Sequence, residues 1–264
     1  MIGVFDSGIG GLSVLDAIAR SLPQADLLYL ADTAHVPYGE KSEEYIRQRV
    51  LAIGEHLVAT GCTTLVAACN TATAAAVQAL RQSQPGIAVV GIEPGVKPAA
   101  ISSRTRRIAV LATESTARST RLQQLINNHA SDVDVQIVPC PGWATRVETL
   151  QLDDPQLASE IAEKITPLVD AGVDRIVLGC THYTFLIRLL QPLIAGRAEL
   201  IEVADAVARE VVRRTNHTNT AQAERGVIQL QATAKAERLE AALTALGLKL
   251  IQQRLAGPAQ DVRF

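Results

Sequence analysis

Residues 57–73 read LVATGCTTLVAACNTAT, residues 168–184 read LVDAGVDRIVLGCTHYT, and the two stretches align without a gap. Residue n falls on residue n + 111, which sets Leu57 on Leu168, Gly61 on Gly172, Val66 on Val177, Cys69 on Cys180 and Thr73 on Thr184. Each stretch has the order helix, turn, strand, loop. Apolar strands after alanine-rich helices match cheaply by chance. A cysteine at the end of each strand, followed by small hydroxyl or amide residues, does not. The same offset carries VGIEPGV, from Val90, onto IEVADAV, from Ile201, so each half is expected to continue past its cysteine through another strand and helix. The chain reads as two similar lobes.

Outward from these segments, short β-rich runs alternate with helical patterns. Ile2–Phe5, Leu27–Leu30, Thr64–Ala68, Val89–Gly91, Ile108–Leu111, Val135–Val138, Arg175–Leu178 and Leu200–Val203 read as strands. The clearest helices are Ser42–Thr60, with Ser42 as N-cap, and Asp154–Ala171, which Gly172 can terminate. This is the rhythm of right-handed βαβ units. The 264 residues suffice for one large domain or two smaller ones, and a composition 48% hydrophobic but only 3% aromatic suits aliphatic helices on a buried parallel sheet. The expected class is α/β: two pseudo-symmetric lobes, each a mainly parallel sheet flanked by helices.

Composition also narrows the function. The formal charge is −2 and the densest basic run is Arg104, Arg106 and Arg107, which gives no footprint for a nucleic acid. No apolar stretch approaches the roughly 18 residues that span a bilayer, and MIGVFDSG lacks the basic region of a signal peptide, so a cytoplasmic location is expected. There the four cysteines, Cys62, Cys69, Cys140 and Cys180, would be reduced. None forms a C-x-x-C pair or a cluster at zinc-ligand spacing, which weakens both disulfide and metal readings.

Ligands of open α/β sheets bind outside the carboxyl ends of the strands, where Cys69 and Cys180 fall. Cys69 precedes an alanine-rich helix, whose N-terminal amides and dipole favour a thiolate and can also receive a substrate carboxylate. Asn70 and Thr71 add neutral donors; the alternative is that Cys69 is a small core residue. Cys180 has His182 two residues on, able to take or give a proton near neutral pH; a satisfied structural histidine is the competing explanation. The segment from Gly3 to Ser13 is not a nucleotide fingerprint, because Ser13 stands at the third glycine position and no P-loop lysine follows. Its glycines permit a tight turn near a ligand, with Asp6 suited to an ammonium group or a proton; helix capping by Asp6 or Ser7 is the rival. Pro37-Tyr38-Gly39 can aim amides at a carboxylate or form a plain surface turn. None of Lys41, Lys97, Lys164, Lys235 and Lys249 lies beside a cysteine, so a pyridoxal-phosphate anchor is missing.

DSGIGG, PYG, ACNTAT and GCTHYT, in this order and at these separations, resemble the glutamate racemases of the aspartate/glutamate racemase family. IEPG from Ile92, the segment Ile108–Thr116 and a tail pattern at Leu230-Gln231-Ala232-Thr233 extend the resemblance over most of the chain. It implies two pseudo-symmetric lobes with the active site in the cleft between them, and a C-terminal segment returning to the first lobe. The boundary falls near Pro98, giving residues 1–97 plus 206–264 and residues 98–205. It further implies cofactor-independent interconversion of L- and D-glutamate by Cys69 and Cys180, supplying D-glutamate for peptidoglycan. Asp6 would assist Cys69, while Glu148 and His182 would assist Cys180. Asp6, Ser7, Pro37, Tyr38, Gly39, Asn70, Thr71, Thr113, Thr116, Thr181 and His182 would line the substrate site, with no cofactor and no metal. The expected partner is a small-molecule substrate, with no nucleic acid, no membrane and a homodimer allowed.

Three other readings stand beside this one. Two cysteines do not choose a side-chain length, so a related racemase could act on aspartate or another small acid. A Cys180–His182 hydrolase would need only one sulfur. A two-lobed amino-acid sensor would bind without exchanging the α-proton.

Overall fold

The structure, a computed structural model, describes residues 1–215 and 225–264. Along the chain run β1 (Ile2–Asp6), α1 (Leu12–Ser21), β2 (Leu27–Ala31), α2 (Glu43–Ala59), β3 (Thr64–Ala67), α3 (Asn70–Ser83) and β4 (Ala88–Gly91). Next come α4 (Val96–Ser102), β5 (Arg107–Ala112), α5 (Glu114–Arg118), α6 (Thr120–His129), β6 (Asp134–Pro139), α7 (Trp143–Glu148), α8 (Pro155–Asp170) and β7 (Arg175–Leu178). The remainder is α9 (Ile187–Ile194), β8 (Glu199–Ile201), α10 (Ala204–Thr215), β9 (Ile228–Ala232), α11 (Glu237–Ala245), α12 (Lys249–Gln253) and β10 (Gln260–Asp261).

Six strands form one sheet in the order β10-β9-β2-β1-β3-β4, and four form another in the order β6-β5-β7-β8, with every pairing parallel. The order β2-β1-β3-β4 thus recurs as β6-β5-β7-β8. All residues of β1, β2, β3 and β7 are buried, which is why these strands read as unbroken rather than alternating apolar runs.

The internal repeat appears as repeated hydrogen bonding. Helix α2 ends where Gly61 adopts φ +95°, and α8 ends where Gly172 adopts φ +89°, a left-handed conformation that glycine takes without a Cβ penalty. At the first end, Gly61 N donates to Val58 O at 2.9 Å and Cys62 N to Leu57 O at 3.0 Å. At the second, Gly172 N donates to Val169 O and Val173 N to Leu168 O, both at 3.0 Å. These are the paired bonds of a Schellman turn, which sends the chain from each helix into its strand. The helix starts follow the sequence too: Ser42 accepts from Tyr45 N at 3.3 Å, and Asp154 accepts from Gln156 N at 2.9 Å with Pro155 in the first turn.

Two compact units result: Met1–Ile92 with Ala204–Phe264, and Glu93–Val203. Residues 216–224, part of the expected first lobe, lie outside the described residues. The expectation that each half keeps the helix after its last strand needs correction, because the two helices are exchanged. Helix α4 follows β4 of the first unit yet packs on α6 and β7 of the second, burying Val96, Ala99 and Ala100 in a cluster with Ile108, Val110 and Leu122. Helix α10 follows β8 of the second unit yet packs on α1 and β4 of the first, burying Val207, Ala208 and Val211. The packing of α4 draws the chain from Glu93 onward into the second unit, whereas the sequence reading set that crossing at 97/98. Gly95 makes the approach close enough, since a Cβ there would meet Ile201 Cγ2 at 2.7 Å.

The tail carries two further strands, neither among those read from the sequence. β9 pairs with β2 from Ile228 opposite Leu27 to Ala232 opposite Ala31, and β10 adds to its far side. Ile228, Leu230 and Ala232 of β9 alternate with Gln229 and Gln231, a period-2 pattern rather than a continuous apolar run. β8 begins and ends earlier than expected, at Glu199–Ile201 rather than Leu200–Val203, with Glu199 N donating to Asp174 O at 3.1 Å. Buried Arg254 ties the tail down by donating to the carbonyls of Gly226, Ala19 and Ala25 at 2.8, 3.0 and 2.7 Å. No helix among the described residues is long and apolar enough to cross a membrane.

Candidate active site

In the first unit β1 and β3 are neighbours, with Phe5 opposite Ala67, so the residues after their carboxyl ends emerge side by side. From β3 emerges Cys69, 5% exposed, in extended backbone (φ −131°, ψ 119°) as the N-cap of α3. From β1 come Asp6, fully buried, and Ser7. Asp6 Oδ1 accepts from Ser7 N at 2.6 Å and from Ser7 Oγ at 3.2 Å, and Cys69 Sγ lies 3.9 Å from Ser7 Oγ. Neither Asp6 nor Ser7 caps α1, whose N-cap is Gly11 with no side-chain bond, which removes the capping alternative for that helix. Gly11 is needed beneath Asp6: a Cβ would meet Asp6 Cβ at 2.7 Å and Tyr29 Oη at 2.9 Å.

Asn70 and Thr71, both buried, open α3. Both polar atoms of the Asn70 side chain are buried without a hydrogen-bond partner among the described residues. A buried amide without a partner costs free energy, and its donor and acceptor are available to a bound ligand. Thr73, one turn on, is structural: it donates to Ala67 O at 3.2 Å and accepts from Ile92 N at 3.1 Å.

Pro37 precedes a single 3-10 turn, Tyr38–Glu40, which contains Gly39. Tyr38 is buried and its hydroxyl donates to Asp32 Oδ2 at 2.5 Å. Burial first, then the charge and bond of Asp32, push this phenol far above its ordinary range. Arg49 of α2 completes the group by donating to both oxygens of Asp32, at 3.0 and 2.9 Å. Sequence reasoning missed Asp32 and Arg49; a carboxylate in a loop and an arginine in an amphipathic helix carry no local signal.

In the second unit Cys180, 6% exposed, has nearly the same backbone as Cys69 (φ −144°, ψ 135°) and caps the 3-10 turn Thr181–Leu186, which contains buried Thr181. Gly179 lets β7 end tightly against β5, because a Cβ there would meet the backbone oxygen of Leu111 at 2.7 Å. Cys180 Sγ lies 3.7 Å from His182 Nδ1, and His182 Nε2 lies 2.5 Å from Glu148 Oε1. Burial would lower the His182 pKa, but its bonds to Cys180 and Glu148 and their charges outweigh burial and hold it well above the usual histidine value. After β5, Thr113 caps α5, accepting from Thr116 N at 3.2 Å and donating to Thr116 Oγ1 at 3.1 Å. Trp143 meets Tyr183 edge-on at 5.5 Å, and the Tyr183 hydroxyl donates to Cys140 O at 3.1 Å. The sequence did not single out this aromatic floor, which supports the turn that carries His182.

The four free cysteines therefore have different surroundings. Burial pushes the Cys62 thiol up to about 11 and the Cys140 thiol up to about 12, which keeps both neutral. Only Cys69 and Cys180 stand at strand ends with a polar side chain against the sulfur. Among the described residues no group of three or more His, Cys, Asp or Glu could hold a metal ion.

Two parallel sheets, each presenting such a cysteine, belong to a recognised class: the family model for Asp/Glu/Hydantoin racemase matches residues 2–211, and the chain belongs to that family. It is an isomerase of the amino-acid racemase kind. Within the family its similarity is to glutamate racemases. It is 49% identical over 212 residues to glutamate racemase of Pseudomonas aeruginosa (strain UCBPP-PA14), covering 80% of either chain. A glutamate racemase isoform from Bacillus anthracis superposes with a TM-score of 0.87 at 28% identity, covering 100% of this chain and 97% of that one. Glutamate racemase of Escherichia coli, solved with L-glutamate and an activator, superposes with a TM-score of 0.80 at 27% identity, covering 99% and 97%.

Proposed function

We propose that this protein is a cofactor-independent glutamate racemase in which Cys69 and Cys180 are the two acid/base groups. One observation carries the reading: a buried cysteine ends the same strand in each half, caps the turn that follows, and has its own polar partner. The names of its relatives support glutamate over other acids.

Inverting a stereocentre requires removing a weakly acidic proton from one face of the α-carbon and delivering another to the opposite face. In the proposed reaction one sulfur is a thiolate and takes the proton, while the other is a thiol and supplies one. The roles reverse with the enantiomer, which suits two half-sites of like construction. Their supports differ. Cys180 has the ring of His182 beside it, held by Glu148, which can pass a proton to or from the sulfur. Cys69 has Ser7 and the N-terminus of α3, whose amides and dipole favour negative charge. The unpartnered amide of Asn70 would bind the substrate's carboxylate or ammonium group, and the Tyr38–Gly39 backbone would bind its far end. In this reading the D-glutamate supplies peptidoglycan synthesis from the cytoplasm.

Proton NMR in deuterated water, with L- or D-glutamate and no added cofactor, tests the proposal. The expected result is loss of the α-proton signal, with circular dichroism of the same samples showing accumulation of the other enantiomer from either side. Exchange without inversion, no reaction with glutamate, or faster reaction with aspartate rejects it.

A further inference from the structure

The Tyr38 phenol is committed inside the protein. Its ring shares a buried cluster with Phe5, Val50 and Cys69, and its hydroxyl is drawn to Asp32 at 2.5 Å. What Pro37-Tyr38-Gly39 offers a ligand is therefore backbone, aimed by the way the phenol is anchored. Asp32 is fully buried, and the guanidinium of Arg49 grips both its oxygens. Arg49 in turn lies beneath the ring of Phe264, its Cζ 5.3 Å from the ring centroid. Phe264 stacks on His56 at 4.7 Å, and His56 Nε2 is 2.8 Å from Gln231 Oε1 on β9. The tail also pins the start of the same loop: Ala34 N donates to Thr233 Oγ1 and Ala234 N to Thr33 Oγ1, each at 3.0 Å.

We propose that Arg49 is a positioning residue for the substrate turn Pro37-Tyr38-Gly39, acting through Asp32 and the Tyr38 hydroxyl, with Phe264 clamping Arg49 from outside. The inference rests on the reading of that turn as part of a glutamate site. A buried carboxylate must be paired, and a guanidinium fork fixes the plane of the carboxylate as well as its charge. That plane sets where the Tyr38 hydroxyl is drawn and hence how the turn presents its amides. Lysine would supply the charge without the plane. The relay ends on a binding turn, with Cys69 only a neighbour of the Tyr38 ring, so its loss falls mainly on KM and little on kcat.

Steady-state racemisation in both directions tests this, with folding followed by circular dichroism. Arg49→Gln is expected to raise the KM for both enantiomers about tenfold, with kcat within about threefold of wild type. Arg49→Lys should recover part of the loss, and Phe264→Ala should raise KM about threefold. Tyr38→Phe should also raise KM, and the Tyr38→Phe/Arg49→Gln pair should be no worse than the poorer single variant, because both cut one relay. If Arg49→Gln does not fold, the Asp32→Asn/Arg49→Gln pair, which buries no charge, takes its place in the cycle with the same expected rise. An unchanged KM in the folded variant, additive effects with Tyr38→Phe, or full recovery by lysine overturns the inference. A wild-type protein that does not racemise glutamate overturns the function itself, before any variant is compared.

Discussion

Glu148, the last residue of α7, places Oε1 2.5 Å from Nε2 of His182, whose other ring nitrogen lies 3.7 Å from the sulfur of Cys180. A thiol and an imidazole two residues apart are thus lined up with a carboxylate 34 residues earlier in the chain, and the proton on the imidazole is their shared property.

That proton makes stability depend on pH with a definite sign. The folded-state pKa of His182 is raised, so folding takes up a proton between the ordinary histidine value and the higher native one. The stabilisation is complete below about pH 6.5, the unfolded value, and is lost as pH rises through the native value. The Tm difference between wild type and His182→Asn should be largest at mildly acid pH and shrink on the alkaline side. Glu148→Gln should bring the His182 titration, followed by NMR, down toward the ordinary range and lower kcat about 100-fold. A His182 titration unmoved by Glu148→Gln would contradict this account.

The four cysteines should separate by function. Cys69→Ser and Cys180→Ser are each expected to cost at least about 1000-fold in both directions of racemisation. Cys62→Ser and Cys140→Ser, which replace thiols held neutral by burial, should stay within about threefold of wild-type kcat. Assay of the four variants from both enantiomers decides the matter, and a large kcat loss in Cys140→Ser alone would break the assignment.

Asn70 should trade stability against binding. Its amide is buried and has no hydrogen-bond partner among the described residues, so Asn70→Ala should leave the unfolding free energy within about 1 kcal/mol of wild type or raise it. The same change should raise the KM for glutamate at least about tenfold. Urea denaturation paired with steady-state kinetics measures both; marked destabilisation with an unchanged KM would make Asn70 a structural residue.

Two glycines should respond differently to alanine. Gly61 has φ +95° but open space around a Cβ, so Gly61→Ala should cost about 1 kcal/mol through backbone conformation. Gly179 would press a Cβ against Leu111 O at 2.7 Å, so Gly179→Ala should cost about 2–3 kcal/mol and lower kcat, because the strand end carrying Cys180 must shift. Denaturation midpoints and kcat for the pair test the contrast.

Much of the architecture was legible because it rests on local rules. β3 and β7 span Thr64–Ala67 and Arg175–Leu178, matching residue for residue at the offset of 111, and the glycines at 61 and 172 end their helices as their type requires. Burial on both faces wrote the central strands as apolar runs, and the polar residues after Cys69 and Cys180 marked the strand ends. β9 carries a legible alternation of apolar residues with glutamine, but its place beside β2 follows from pairing across some 200 residues.

The sequence by itself determined the alternation of strand and helix, the duplication, and the two cysteines at equivalent strand ends, since each follows from periodicity and turn chemistry within a few residues. Only the tertiary structure decided that α4 and α10 pack away from the strands they follow, that Glu148 meets His182, and that Tyr38 answers to Asp32, Arg49 and Phe264. Most of these contacts join residues well separated in the chain, and even the nearer pair Tyr38 and Asp32 meets only because a turn and α2 fold the loop back on itself. Their energy comes from burying a charge beside its partner or an apolar face against a sheet, and neither leaves a local pattern to read.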